Sequence, residues 1–365
     1  MKNTKLKKIG ILTAGGDCPG LNPVIRVVTK AAINEYGLEV IGFKDGYAGL
    51  VNNDFIRLRN RDVSGILNTG GTILGTSNIA NPYRFPSTRD CKTVITDRSK
   101  EAIANYAKHS LDALIVVGGD GTLSIASKLI KDGLNIVAVP KTIDNDLSET
   151  DFTFGFESAV VTATEAIDKL HSTAQSHHRV MILEVMGRYA GWIALYAGVA
   201  GGGDVILIPE IPYDIDKICK KLEERSKSGK RFSIIVTAEG ARPKGGKLTV
   251  QRIVEGSTDK FRLGGVAYAI GAAIEKKTCL ETRATVLGHI QRGGAPTAFD
   301  RNLATRFGYT ALKLAAEGKF GQMAALQKGR MTGAPISKAI GKLKLVPCDH
   351  PMIEMARALG TSFGD

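Results

Sequence analysis

No stretch of this sequence is long and apolar enough to span a bilayer; the best candidate, from Tyr189 to Gly203, is too short and too rich in glycine. The basic start is followed by no apolar run with a cleavage site, so no signal peptide is expected. Cysteine is scarce. Cys18, Cys91, Cys219, Cys279 and Cys348 are odd in number, far apart and without metal-ligand spacing. That argues against a disulfide framework and for a reducing, cytoplasmic setting. Long blocks of one charge are missing as well. The 49 Lys and Arg outnumber the 36 Asp and Glu, for a net charge of +13, yet the excess is dispersed. Its densest run, Lys5, Lys7 and Lys8, reads as a solvated tail. With no nucleic-acid motif and no interleaved aromatics, the expected partners are small anions such as phosphates, not nucleic acid or a membrane.

What is abundant is glycine, 42 residues in a chain of 365, and it clusters after apolar runs. One pattern occurs four times. Ile9–Ala14 leads to Gly15-Gly16-Asp17, and Ala113–Val117 leads to Gly118-Gly119-Asp120-Gly121. Val180–Val185 leads to Met186-Gly187-Arg188, and Ser233–Ala238 leads to Glu239-Gly240. Continuous apolar, β-branched runs are the signature of strands buried on both faces, hence of a parallel sheet. Helical stretches alternate with them at 22–36, 99–109, 122–132, 157–174, 214–228 and 264–276. The fold class expected is α/β, with two doubly wound, Rossmann-like lobes of mainly parallel sheet and a site in the cleft between them. The first two runs build one lobe and the next two the other, with a boundary near residues 147–156 and no low-complexity linker.

The chemistry sits at the strand exits. Gly15-Gly16-Asp17-Cys18-Pro19-Gly20-Leu21-Asn22 joins a strand to a helix, where a glycine backbone can approach a phosphate and the helix N-terminus offers free N–H groups. A tight turn without a ligand explains that stretch equally well. Gly118-Gly119-Asp120-Gly121-Thr122 repeats the arrangement. Here Asp120 is placed either to meet Mg²⁺, which takes one or two carboxylates plus phosphate oxygens, or to cap the next helix. A third exit, Pro140-Lys141-Thr142-Ile143-Asp144-Asn145-Asp146, crowds one cation and two carboxylates together. It is either a solvated turn or a place where a metal, a proton and a phosphate are handled.

GGDCPGLN, GGDGT, PKTIDND, MGRYAGW, AEG and ETRATVLGHIQRGG occur in an order that resembles the 6-phosphofructokinases, from about residue 8 to about residue 340. The resemblance implies transfer of a phosphoryl group from ATP, with Mg²⁺, to the 1-hydroxyl of fructose 6-phosphate. It implies a catalytic set of Gly15, Thr142, Asp144 as the base, and Arg188. Nucleotide contacts would come from Gly15, Asn78, Ile79, Gly119, Asp120, Gly121 and Thr122. Asp120 would hold the metal, and Asp146 would support the metal and water network. Substrate contacts would come from Thr142, Ile143, Asp144, Arg179, Met186, Gly187, Arg188, Glu239, Arg283, His289, Ile290, Gln291 and Arg292. A nucleotide-binding lobe would comprise residues 1–155 with about 291–341, and a sugar-phosphate lobe 156–290 with about 342–365. Arg179 and Arg283 would serve a neighbouring subunit, which implies a homo-oligomer, a dimer or tetramer. Arg26, Lys30 and Lys230 fall at basic positions of an effector site, or are ordinary surface cations.

Two features depart from the usual ATP-dependent pattern. Asn78 stands where an arginine bridges the reacting phosphates in the better-studied bacterial form, so either Arg84 or Lys141 supplies that charge or nothing does. Pyrophosphate-dependent members pair aspartate with lysine at the two donor positions, whereas this chain pairs Gly121 with Lys141. A carboxylate at 121 would repel and crowd a nucleotide α-phosphate, so Gly121 favours ATP, with pyrophosphate as the alternative donor. NAD kinases and diacylglycerol kinases share GGDGT but none of the other motifs. A non-catalytic relative would be expected to lose Asp120, Asp144 or Asp146. The segment 242–247, Arg-Pro-Lys-Gly-Gly-Lys, reads as a surface loop of added length.

Overall fold

In the computed structural model, residues 2, 4–89, 92–253 and 261–365 are described; Cys91 lies outside them. The apolar runs do form strands, and their burial explains why. All six residues of Ala113–Gly118, Val180–Val185 and Ser233–Ala238 are buried, as are five of the six in Lys8–Thr13. A strand covered on both faces needs no polar alternation.

The strands form two principal sheets. The larger has seven, in the order Arg330–Pro335, Gln322–Gln327, Ile136–Pro140, Ala113–Gly118, Lys8–Thr13, Glu39–Phe43, Phe55–Leu58. It is parallel except at its two edges, where the outermost strand on each side runs antiparallel to its neighbour. The chain leaves Lys8–Thr13 toward one edge and returns to Ala113–Gly118 on the other side of it. A crevice opens at the carboxyl ends where strand order reverses in this way, and both glycine turns, 15–16 and 118–121, lie at that point. The smaller sheet is wholly parallel: Thr282–Val286, Val180–Val185, Ser233–Ala238, Val205–Leu207.

The six expected helices are present as Leu21–Tyr36, Ser99–Lys108, Asp120–Lys131, Phe156–His177, Ile215–Lys227 and Val266–Thr278. Trp192–Ala200 and Ala298–Ala316 add to them. The latter buries Leu303, Phe307, Ala311 and Leu314 and packs against Leu21–Tyr36 and the larger sheet. One apolar cluster runs from Ile9, Ile115 and Val137 through Phe154, Phe156 and Phe307 to Leu183 and Val236, so the two sheets share a core. Residues 242–247 are largely exposed and pinned at one point, where the Tyr213 N–H donates to the Arg242 carbonyl (3.1 Å) and the Lys244 N–H to that of Tyr213 (2.8 Å). Among the described residues no helix is long and apolar enough to cross a membrane. Cys18 and Cys219 are buried free thiols, and Cys279 and Cys348 are exposed ones.

Candidate active site

The first glycine turn is held open by its neighbours. Gly15 has φ +84°, a left-handed conformation that favours glycine. Its N–H donates to the Ser77 carbonyl (3.1 Å), and its carbonyl accepts from Thr76 Oγ1 (2.6 Å). These bonds set the 75–79 loop against the turn, with Asn78 and Ile79 exposed at its rim. A Cβ on Gly15 would lie 3.3 Å from both Lys141 Nζ and Thr122 Oγ1, so ammonium and hydroxyl converge on this backbone. Lys141 is buried and donates to the Gly16 carbonyl at 2.5 Å. Burial pushes its pKa below the ordinary lysine value. On the other side, Arg292 Nη1 donates to the Asp17 carbonyl (3.1 Å) and would be 2.7 Å from a Cβ on Gly16. Two cations therefore underlie one turn. Arg84 is exposed at the end of the short helix Pro82–Arg84.

The third strand exit carries the carboxylates. Asp144 is buried and its N–H donates to Thr142 Oγ1 (3.0 Å). Asp146 is raised well above the usual carboxylate range, first by burial and then by the negative charge of Asp144. Glu239, at the exit of Ser233–Ala238 in the other sheet, is pushed up to about 7 by burial and by the same Asp144. Its Oε1 accepts the Arg188 N–H at 3.0 Å. Arg188 has φ +54°, and its carbonyl passes so close to Gly240 that a Cβ there would lie 1.9 Å away. Carboxylates from both sheets thus repel one another around a single arginine. The Ile143 side chain is fully buried against Gly155 and Cys18's neighbourhood, so only its backbone is available to a ligand.

The remaining expected residues divide. Gln291 is fully buried and its Oε1 accepts the Met186 N–H (2.8 Å), so it fixes the 186–188 turn from within. His289 and Ile290 are exposed beside it. Arg179 and Arg283 lie elsewhere. Arg179 precedes Val180–Val185 and Arg283 is the second residue of Thr282–Val286, whereas Arg188 and His289 follow those strands. The two arginines flank Glu281, with Arg179 Nε 2.8 Å from it and Arg283 in direct contact. They sit at or near the amino ends of strands whose carboxyl ends form the site, about 20 Å away along the strand for Arg179 and about 10 Å for Arg283.

Asp120, half-buried, begins the helix Asp120–Lys131 and accepts the Gly341 N–H at Oδ1 (2.8 Å). Among the described residues no group of three or more His, Cys, Asp or Glu is placed to hold a metal. A hard divalent cation that shares its shell with phosphates needs only one or two carboxylates. Asp120, a hard oxygen donor beside a glycine turn, meets that smaller requirement. The sequence alone assigns no role to several residues of the site. Ser77 and Thr76 hold the first turn, and Asn145, with φ +51°, accepts from the Thr153 N–H (3.1 Å) and from Lys344 Nζ (3.0 Å). The left-handed preference of asparagine could have flagged Asn145; nothing local points to Lys344.

The phosphofructokinase family model matches residues 8–315. The chain is 52% identical over 362 residues to ATP-dependent 6-phosphofructokinase 2 of Clostridium perfringens, covering 99% of each chain. It is 51% identical to ATP-dependent 6-phosphofructokinase of Spirochaeta thermophila over the whole of both. Among solved structures, Pichia pastoris phosphofructokinase in the T-state superimposes with a TM-score of 0.79 at 32% identity, over 93% of this chain and 36% of that one. A pyrophosphate-dependent phosphofructokinase from Marinobacter aquaeolei shares the fold, with a TM-score of 0.78 at 23% identity over 94% of this chain and 86% of that one.

Proposed function

The chain belongs to the phosphofructokinase family, and from that premise we propose that it transfers the terminal phosphoryl group of ATP to the 1-hydroxyl of fructose 6-phosphate, as a step of glycolysis. The observation that carries the site assignment is the meeting of Asp144, Asp146, Arg188 and Glu239 at strand exits of both sheets. Phosphoryl transfer asks the protein for positioning and charge neutralisation. In our reading residues 1–155 with about 291–341 hold the nucleotide, and 156–290 with about 342–365 hold the sugar phosphate.

The backbone at Gly15–Gly16 and Gly119–Thr122 cradles the ATP phosphates. Lys141, beneath the first turn, offsets their charge, which supports Lys141 over Arg84 as the substitute for the arginine missing at Asn78; Arg292, which reaches the same turn, is read with His289 as a contact of the sugar phosphate. Asp144 accepts the proton of the sugar 1-hydroxyl as the oxygen bonds to phosphorus and the bond to ADP breaks. Arg188, held by Glu239, faces the transferring group, while Met186 and Gly187 line the sugar and His289 meets its 6-phosphate. Asp120 would hold Mg²⁺, with Asp146 supporting the metal and water network; when bound the ion neutralises charge on the phosphate oxygens. The placement of Arg179 and Arg283 at the far strand ends supports their service to a neighbouring subunit of a homo-oligomer. We read the enzyme as cytoplasmic.

The test is a donor matrix. Fructose 6-phosphate is supplied with ATP or with pyrophosphate, each with Mg²⁺, and fructose 1,6-bisphosphate is measured. Turnover with ATP is expected, and Gly121→Asp should weaken it strongly. Turnover with pyrophosphate and none with ATP would overturn the donor assignment.

A further inference from the structure

One segment outside every motif contacts three stretches that carry or adjoin site residues. Residues 341–346 have no regular secondary structure beyond a bridge, yet they are tied at several points to distant parts of the chain. The Gly341 N–H reaches Asp120 Oδ1 (2.8 Å), and the Lys342 carbonyl accepts from Ser148 Oγ (2.7 Å). Leu343 forms a β-bridge with Leu147, and the Lys344 N–H donates to the Asp146 carbonyl (2.8 Å). The Lys344 carbonyl then accepts from Trp192 Nε1 (2.7 Å), and the Val346 N–H donates to Glu210 Oε1 (2.9 Å), which also takes the Gly191 N–H (3.0 Å). This strap therefore runs from the helix start at Asp120, over the loop carrying Asp144 and Asp146, to the segment that follows Arg188.

The loop it covers needs outside support. Between Pro140 and Phe156 it has no helix, and Asn145 and Glu149 both adopt positive φ, 51° and 66°. Such residues persist only where the surroundings over-determine them. Lys344 supplies much of that. Its ammonium, a three-donor group, donates to Asn145 Oδ1 (3.0 Å) and to the carbonyls of Thr150 (2.9 Å) and Asp151 (2.9 Å). It also lies 5.7 Å from the centre of the Trp192 ring. All three donors are spent on the loop, and one of the acceptors is the residue between the two aspartates.

We propose that Lys344 is a positioning residue for phosphoryl transfer, its ammonium fixing the 144–151 loop so that Asp144 meets the sugar hydroxyl at the required place. The proposal rests on the kinase reading above. A misplacement of about 1 Å in a reacting group costs on the order of 100-fold in rate, so a loop tether acts on kcat more than on binding.

Lys344→Met keeps the length and apolar stem but removes the donors. Its kcat should fall about 10- to 100-fold with KM for fructose 6-phosphate and ATP within about threefold. Lys344→Arg should recover a large part of the loss. Trp192 is the chain's single tryptophan, so its emission reports strap docking directly and should shift in Lys344→Met and not in Lys344→Arg. A wild-type protein inactive with ATP and fructose 6-phosphate would refute the kinase reading itself. An active wild type beside a Lys344→Met variant within twofold in kcat would overturn the tether. So would a loss confined to thermal stability, with kcat per folded molecule unchanged. Should Lys344→Met fail to fold, Ser148→Ala removes a milder link of the same strap; a fall in kcat at constant KM supports the proposal, and unchanged kcat opposes it.

Discussion

Asp144 is the residue around which the site's charges are arranged. Its carboxylate is a cause, second only to burial, of the raised pKa of both Asp146 and Glu239. Removing it should therefore have two separable effects. As the base for the sugar hydroxyl it is worth on the order of 10²–10⁴ in rate, so Asp144→Asn should lose that much kcat with little change in KM for fructose 6-phosphate. As a neighbouring negative charge it disfavours ionisation of Glu239, which rises to about 7. In Asp144→Asn the Glu239 carboxyl should titrate at lower pH, and the acidic limb of the residual rate should move in the same direction. Near-normal turnover in the variant would sink the assignment of the base. An immobile Glu239 titration, followed by carbon-13 chemical shift, would sink the coupling alone. Because these groups all stand directly after apolar runs, Asp144, Arg188 and Glu239 were legible in the sequence. Their mutual repulsion was not, since it arises between two sheets whose approach no local pattern encodes.

Elements were legible in proportion to how much of their stabilisation is local. The four apolar runs are strands because burial on both faces selects them residue by residue. The edge strands Phe55–Leu58 and Arg330–Pro335 are less buried and carry no such run. The strap at 341–346 is set by bonds to residues far along the chain, and no period marks it. The helix Ala298–Ala316 lies between these cases. Its apolar positions 303, 307, 311 and 314 have helical spacing, and its role depends on a tertiary contact. From its first turn Asp300 reaches the start of another helix, Phe156–His177, accepting from the Ser158 N–H (2.8 Å) and Oγ (2.6 Å). Burial dominates over those bonds and raises the Asp300 pKa from 3.8 to about 6. The folded-state value lies above the unfolded one. Its contribution to stability is therefore complete below about pH 4 and is lost as pH rises through about 6. A shift of this size corresponds to about 3 kcal/mol. Asp300→Asn cannot titrate but can still accept from Ser158. The stability of wild type relative to this variant should decline between pH 4 and pH 6 and be level above, as measured by urea unfolding at a series of pH values. A constant difference across that range would show that the buried carboxyl keeps its ordinary pKa.

At the scale of the whole molecule, expected site residues stand at both ends of the same strands. The carboxyl ends of its strands carry Asp144, Arg188 and His289, and the amino ends of Val180–Val185 and Thr282–Val286 carry Arg179 and Arg283. Glu281 holds both arginines together on that far face. Arginine binds phosphate bidentately and loses little order in doing so, so a pre-assembled pair is suited to a phosphate delivered by another molecule of the same chain. A two-fold axis makes such an exchange reciprocal: each subunit lends its arginines and borrows its partner's. Complementation tests this without knowledge of the final oligomer. Asp144→Ser destroys the base, and Arg283→Ser destroys the lent phosphate contact; each variant alone should be nearly inactive at moderate fructose 6-phosphate. In a mixed pair, one composite site combines both defects and the other combines both intact residues. Random re-pairing of equal amounts makes half the pairs mixed, so about a quarter of all sites should be restored. The mixture should then show kcat near a quarter of wild type, with a wild-type KM for fructose 6-phosphate. If the subunits demonstrably exchange, by mass measurement of the mixed species, and activity stays at the level of the parents, then Arg283 serves its own chain or no site at all.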